Sequence, residues 1–511
     1  MRPLLTILPL LVLLLTGSTS LPPSPIADPA RPLRASIQIE TNPNVETMGI
    51  LLALAFEGYR FGDFELPVAA RAQTQLSAYR KHPAVVNTRT MVQALNIDGY
   101  TILALRAAPF GGEAGGTLRM PLPDAWARGV GEGDVAAGQA RIATYLRQIA
   151  AFYREANLDQ FFAAHRPAYD RAEAEVRRLA PDPALIGAME RYYGERLRSY
   201  TIIPTLTHPP HGNVGASLGC DDSAACRDAY FVLGTQVSVS EAALTQGQAA
   251  GFYDKSNPEK SRQTVSDLIA HEFGHGFVNP YLDAPAVRAE IDDNAHLMLP
   301  PLRDRMAPQA YTNWFAVAVE HVVRATEVRV ALTAADTARA ERLRREYQED
   351  RAFVYLPWLE QAAERYEQDG PLGTGRYATF GAFVPEMARA FRAVDTTAAY
   401  RALGVGVGPL QAVTIRVTGP VPAGDTVFVA GGHATLGNWN PRYAPLRRDL
   451  DGAWTGTFAI EEGTRLEFKA TRGTWASEAV DTTGLPLPNS VVVVESDTTV
   501  TLPVEQWRDR P

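Results

Sequence analysis

The residues of this chain best suited to chemistry are His271-Glu272-Phe273-Gly274-His275. On a helix, positions i and i+4 share one face about 6 Å apart along the axis, so both imidazoles can converge on one cation. Glu272, one position on from the first histidine, is placed to take a proton from water at that cation. Nitrogen and carboxylate donors suit zinc, and a catalytic zinc uses three protein ligands plus water, giving one Zn2+ per chain. The competing reading is a helix with two packed or exposed histidines and a solvated glutamate. No histidine follows shortly after Gly276, so a third ligand must come from elsewhere. The segment from Trp314 to Leu332 offers Glu320, Arg324 and Glu327 at i, i+4 and i+7, one stripe of a helix. Spacing leaves Glu320 and Glu327 open as the ligand, and either also reads as a solvated or arginine-paired acid. His321 lies off that stripe and His296 falls in a loop-like stretch; both read as packed or surface histidines.

These residues need elements to hold them. A helix is expected over residues 264–280, with Ser266 or Asp267 as its cap and Pro280 as its end. Gly274 and Gly276 each cost that helix about 1 kcal/mol against alanine, which points to close approach of a neighbouring backbone or a substrate, or to tight packing. Ser199–Thr207 and Ala229–Gly234 read as strands, and Pro204 argues that the first is an edge strand. Upstream lie a β-like stretch at Ser36–Glu40 and a helical pattern at Thr47–Gly58. Residues 135–197 are helix-rich, with breaks near Pro167 and Pro181-Asp-Pro183.

The pattern changes at a Gly-rich linker, residues 403–410. Beyond it, alternating strands recur at Val413–Val417, Thr426–Ala430, Trp454–Ile460, Leu466–Ala470, Val491–Glu495 and Thr498–Val504, the signature of a small β-sandwich. By composition alone, the tryptophans Trp439, Trp454, Trp475 and Trp507 read as core residues or as a sugar-stacking platform.

At 511 residues the chain is too long for one core. A hydrophobic share of 46% and a charged share of 21% exclude disordered and polytopic membrane classes. With 49 basic and 57 acidic residues, the net charge of −8 gives no electrostatic case for a nucleic-acid partner or an anionic membrane. Residues 1–20 read as a signal peptide: Met1-Arg2, an apolar run from Leu4 to Leu15, then small residues ending at Ser20. An uncleaved anchor is the alternative. A Pro-rich lead-in occupies residues 21–34, and the mature chain is expected in the periplasm or outside the cell. In that compartment Cys220 and Cys226, the chain's two cysteines, are expected to form a disulfide closing a small polar loop.

Two resemblances follow from these motifs. The segment HEFGHGFVNP with the later Glu320-His-Val-Val-Arg-Ala325 resembles the bacterial DUF4932 family, exported zincin-like metallopeptidases of the Glu-zincin type, across most of residues 35–402. That resemblance implies an α+β zincin-like fold, His271 and His275 as metal ligands, Glu272 as base and Glu320 as third ligand. It also implies an edge strand that holds extended peptide by β-addition, for which Tyr200–Thr207 is the candidate. Phe428-Val-Ala-Gly-Gly, Leu436-Gly-Asn-Trp439-Asn-Pro441, Phe468-Lys469-Ala470 and Gly473-Thr-Trp475 resemble carbohydrate-binding module family 20, across residues 411–508. This implies an all-β immunoglobulin-like, starch-binding sandwich in which Trp439 and Trp475 stack on sugar while Lys469 and Asn489 hydrogen-bond it. Ala476 and Ser490 stand where that family usually has an acid and an arginine.

The expected protein is thus an exported zinc metallopeptidase with an appended module for α-glucan or another polysaccharide. Zinc hydrolysis of a non-protein amide, such as cell-wall material, and non-catalytic glycan binding on the same scaffold are the alternatives. Tyr253, Tyr311 and His321 are candidates to steady a developing oxyanion.

Overall fold

The computed structural model describes residues 37–56, 67–179, 184–208, 212–219, 226–236, 252, 257–403, 410–422, 424–437 and 439–510. The expected signal peptide, the Pro-rich lead-in, Cys220, Tyr253 and most of the Gly-rich linker lie outside the described residues. Cys226 is disulfide-bonded.

Four strands, β1 (Ile37–Ile39), β2 (Ser199–Pro204), β3 (Val214–Gly219) and β4 (Arg227–Leu233), form one sheet in the order β1-β2-β4-β3. β1, β2 and β4 run parallel and β3 is antiparallel to β4. Parallel sheets bury both faces, and successive side chains here serve different cores. Ile202 and Phe231 belong to one apolar cluster, and their neighbours Ile203 and Val232 to another. The second cluster is supplied by helices α1 (Pro43–Ala55), α2 (Pro83–Arg106), α3 (Val135–Glu155) and α4 (Leu158–Leu179). The first is supplied by α5 (Ala184–Tyr193), α6 (Pro258–Leu282), α7 (Trp314–Thr333), α8 (Leu356–Asp369) and α9 (Phe380–Ala390). The result is a mixed sheet between two helical layers.

Several expectations need correction. β2 is not an edge strand: β1 and β4 flank it, and β3 is the edge beside α6. Thr205 donates its N–H to Leu233 on the β4 side, so the neighbouring Pro204 nitrogen points towards β1, which has already ended opposite Ile202. Pro204 therefore leaves no ladder bond unmade. α4 runs through Pro167 without breaking, because the proline and Ala163 four residues back lie on its exposed face, where water can take the freed carbonyl. α6 starts at Pro258, capped by Asn257 rather than by Ser266 or Asp267, and continues past Pro280. Pro280 deprives the Gly276 carbonyl of its helical partner, and Arg227 Nη1 takes that carbonyl at 2.9 Å.

Beyond the linker, two four-stranded sheets face each other. One contains β5 (Leu410–Thr418), β8 (Arg447–Arg448), β9 (Trp454–Glu461) and β13 (Thr498–Pro503) in the order β13-β5-β9-β8. The other contains β6 (Phe428–Gly431), β7 (Ala444–Pro445), β10 (Arg465–Thr471) and β12 (Ser490–Val493) in the order β12-β10-β6-β7. A short pair, β11 (Ala479–Val480) and β14 (Gln506–Trp507), closes one end. All six expected strands are present, around a core that includes Val413, Phe458, Phe468 and Trp507. Arg303 of the helical domain stacks on Tyr443 of the sandwich at 4.2 Å, and Arg447 pairs with Asp293.

Candidate metal centre

α6 and α7 cross beside the sheet, and glycine lets them approach. A Cβ on Gly274 would lie 3.3 Å from Val323 of α7. On the other side, a Cβ on Gly215 of β3 would lie 2.2 Å from the Glu272 carbonyl oxygen, so the edge strand rests directly on the helix that carries the histidines. α7 is buried on every side from Val317 to Ala331, so neither Glu320 nor Glu327 is a solvated surface acid.

His271, His275 and Glu320 converge, with one donor atom from each lying within 4.8 Å of the others. The two Nε2 atoms are 3.3 Å apart, and each is 3.3 Å from an oxygen of Glu320. The two oxygens differ, Oε2 facing His271 and Oε1 facing His275, and the Nε2–Nε2 separation matches the edge of about 3.3 Å of a tetrahedron with metal–ligand bonds of about 2.0 Å. His271 Nδ1 lies 3.1 Å from Glu327 Oε2, and His275 Nδ1 lies 3.1 Å from Asn279 Oδ1. With both Nδ1 protons donated outward, the Nε2 lone pairs and the Glu320 carboxylate face one another. Such a set fits a cation held between them. Glu327 thus faces the outer nitrogen of His271, away from the three converging donors, and the Tyr347 hydroxyl donates to the same Glu327 oxygen at 2.8 Å.

Arg324 Nη2 donates to Glu320 Oε2 at 3.1 Å, and its guanidinium lies over the rings of Tyr347 (4.7 Å) and Phe353 (4.4 Å). Burial works to lower the His271 pKa and Arg324 adds to that, but Glu320 and Glu327 outweigh both and hold it up at about 9. His275 is raised in the same way, burial being outweighed by Glu320. Glu320 is held well below the usual carboxylate range because the two histidines overcome its burial. Glu272 goes the other way: burial raises it, and the histidine charges offset this only in part. A buried carboxyl raised in this way suits a proton acceptor.

The other sequence candidates fall elsewhere. His321 is fully buried, donates its Nδ1–H to the Val317 carbonyl at 2.7 Å, and is pushed down to about 3 by burial. It is a packed histidine. The Tyr311 hydroxyl lies 3.5 Å from Arg324. Arg324 and Tyr347 were missed as supports of the centre. The Arg at i+4 from Glu320 was the available signal, whereas Tyr347 gave none.

On the sandwich, the rings of Trp439 and Trp475 are neighbours, with centroids 6.4 Å apart and planes at 42°. Trp475 is 37% exposed, while Trp507 is core. Trp439 has a positive φ of 66°, and its indole lies over Gly432, where a Cβ would stand 3.2 Å from Nε1. Lys469 and Asn489 sit one step beyond the Phe468–Ser490 pair of β10 and β12. Lys469 Nζ donates to Glu478 at 3.0 Å, and Asn489 donates to Glu467 at 3.1 Å. Glu478, three residues after Trp475, is buried and pairs with Arg508 as well as Lys469.

A helical domain with a two-histidine, one-glutamate donor set, joined to a β-sandwich, defines the class. Residues 60–390 match the family model described as Domain of unknown function (DUF4932), which is well over half the chain, so the protein belongs to the DUF4932 family. Residues 411–502 match the model described as Starch binding domain. An alpha-amylase of Niallia circulans is 32% identical over 106 residues, 20% of this chain and 8% of the amylase, so the chain spans under a tenth of that relative. Two solved structures, a Hormoconis resinae glucoamylase and a Hypocrea jecorina glucoamylase, align at 14% and 15% identity. They cover 37% and 52% of this chain and 44% and 66% of theirs, with TM-scores of 0.16 and 0.17. Superposition that loose says nothing about fold. No helix among the described residues is long and apolar enough to cross a membrane.

Proposed function

We propose that this is an exported zinc-dependent peptidase of the Glu-zincin type whose sandwich holds it on α-glucan or a related polysaccharide. The observation that carries the reading is the convergence of His271, His275 and Glu320 at 3.3 Å, with Glu272 one position along the same helix. Zinc bound by these three residues would polarise a scissile carbonyl and acidify a water molecule. Glu272 accepts the proton of the attacking water and delivers it to the leaving amine, a role its raised pKa supports. Glu327 and Asn279 fix the ring tautomers, and Arg324 fixes Glu320. The edge strand β3, seated against α6, is flanked by no further strand among the described residues, and an extended peptide would add on that side. The Trp439–Trp475 pair supports the glucan role.

The test is elemental analysis of the purified protein together with cleavage of a peptide library. One zinc per chain is expected in the wild type and in Glu272→Gln, with peptide cleavage reduced by about 10³-fold in that variant. Absence of zinc after expression with zinc supplied would overturn the peptidase reading. Cleavage of cell-wall amides but of no peptide would replace its substrate class.

A further inference from the structure

This inference rests on the peptidase reading and concerns the helix that lies across β3 from α6. The helix α2 breaks at Asn96, whose φ is 55° and ψ −179°. Asn96 Oδ1 then accepts the Gly99 N–H at 2.8 Å and restarts the helix, which puts Asp98 in the first turn of the new segment. That segment packs along β3, and Thr101 Oγ1 ties it to His208 Nε2 at 2.6 Å. Because β3 in turn rests on α6 through Gly215, Asp98 comes within electrostatic reach of Glu272, Glu320 and His275.

The acids of the centre already have partners: Glu320 with Arg324 and both histidines, Glu327 with His271 and Tyr347. Asp98 differs. Its side chain is exposed, and among the described residues it has no hydrogen-bond or ion-pair partner. Although the residue as a whole is exposed, desolvation of its carboxyl, and after that Glu272 and Glu320, push its pKa up to about 6 against the opposing charge of His275.

We propose that Asp98 is a specificity-determining residue that takes a cationic group of the substrate, an ammonium or guanidinium adjoining the scissile bond. The cation can belong to a free peptide N-terminus or to a lysine or arginine side chain. An acid in the first turn of a helix is also favoured by the helix dipole, so the test must read something that a dipole would leave unchanged.

The probes are peptide hydroxamates, which bind through the metal, carrying lysine or norleucine beside the chelating group, each with a free or an acetylated N-terminus. Binding to the zinc-loaded full chain is measured by calorimetry for wild type, Asp98→Asn and Asp98→Lys. The wild type should favour the cationic probe by about tenfold or more. Asp98→Asn should abolish that preference with little change for the neutral probe, and Asp98→Lys should invert it. Preference for lysine assigns the cation to a side chain, and loss on acetylation assigns it to the N-terminus. An unchanged preference in Asp98→Asn, or none in the wild type, overturns the inference while leaving the peptidase reading standing. Failure of every hydroxamate to bind the zinc-loaded protein overturns both.

Discussion

The two candidate sites of this protein are built on opposite plans. At the centre between α6 and α7, His271, Glu272, His275, Glu320 and Glu327 are each less than a tenth exposed, and both the histidines and the carboxylate facing them are held by further side chains. On the sandwich, Trp475 stands at the surface and Trp439 is perched on a left-handed turn. Buried charges are tolerable only when every one is matched, so the first site is inseparable from the stability of the fold. An exposed aromatic pair makes no such demand, and its loss should cost binding alone. Chemistry on a bond requires the first plan; adhesion to a sugar surface is served by the second.

That contrast can be broken in measurable ways. Glu320→Ala removes a proposed ligand and leaves Arg324 buried beside two histidines without its carboxylate. Zinc should be lost, and urea unfolding in chelator should show about 3 kcal/mol of destabilisation. A variant as stable as the wild type would mean that the centre is no part of the fold's support.

Acidity should act next. Raised pKa values at His271 and His275 mean that protons compete with the metal up to mildly alkaline pH, so affinity rises with pH and falls as the histidines protonate. One displaced proton gives about tenfold per pH unit, hence about a hundredfold between pH 8 and pH 6, readable with a chromophoric chelator. A flat profile would show that neither histidine is a ligand.

Glu327→Gln keeps its size but weakens the grip on His271. Zinc affinity should drop about 10- to 100-fold, with the ligand count unchanged. Loss comparable to that of Glu320→Ala would move Glu327 into the ligand set.

The smallest effects belong to the sandwich. Trp475→Ala and Trp439→Ala should each weaken retention on amylose by about tenfold, leaving the unfolding midpoint and peptide cleavage in place. Unfolding of the domain in Trp475→Ala would make that tryptophan structural. Lys469→Ala should change retention little, because its amine is already engaged by Glu478.

What the sequence disclosed follows from how local each feature is. The pair His271 and His275 was legible because a single helical turn relates them. The six sandwich strands were legible because alternation is a nearest-neighbour pattern. The choice between Glu320 and Glu327 was not, since both lie on one stripe and only the crossing of α6 with α7 selects between them. β3 escaped notice because Val214-Gly-Ala-Ser-Leu-Gly219 is built of small residues, and their smallness is what lets the strand lie on Glu272. Pro204 and Pro280 misled for a shared reason. Each lacks an N–H that a local rule expects to be needed, and each has its deficit cancelled by a distant feature: the end of β1 and the side chain of Arg227. Asp98 lies far upstream of the histidines and carries no motif at all.

The guanidinium of Arg324, lying against the rings of Tyr347 and Phe353 and bonded to Glu320, also bears on electron donation. An oxygen that already shares its lone pair with a fixed cation is a poorer donor to a second one. A metal held by Glu320, as proposed, would therefore be neutralised less than by a free carboxylate. It would keep more of its own charge and be the stronger Lewis acid for it, so Arg324 would set how electrophilic the proposed centre is.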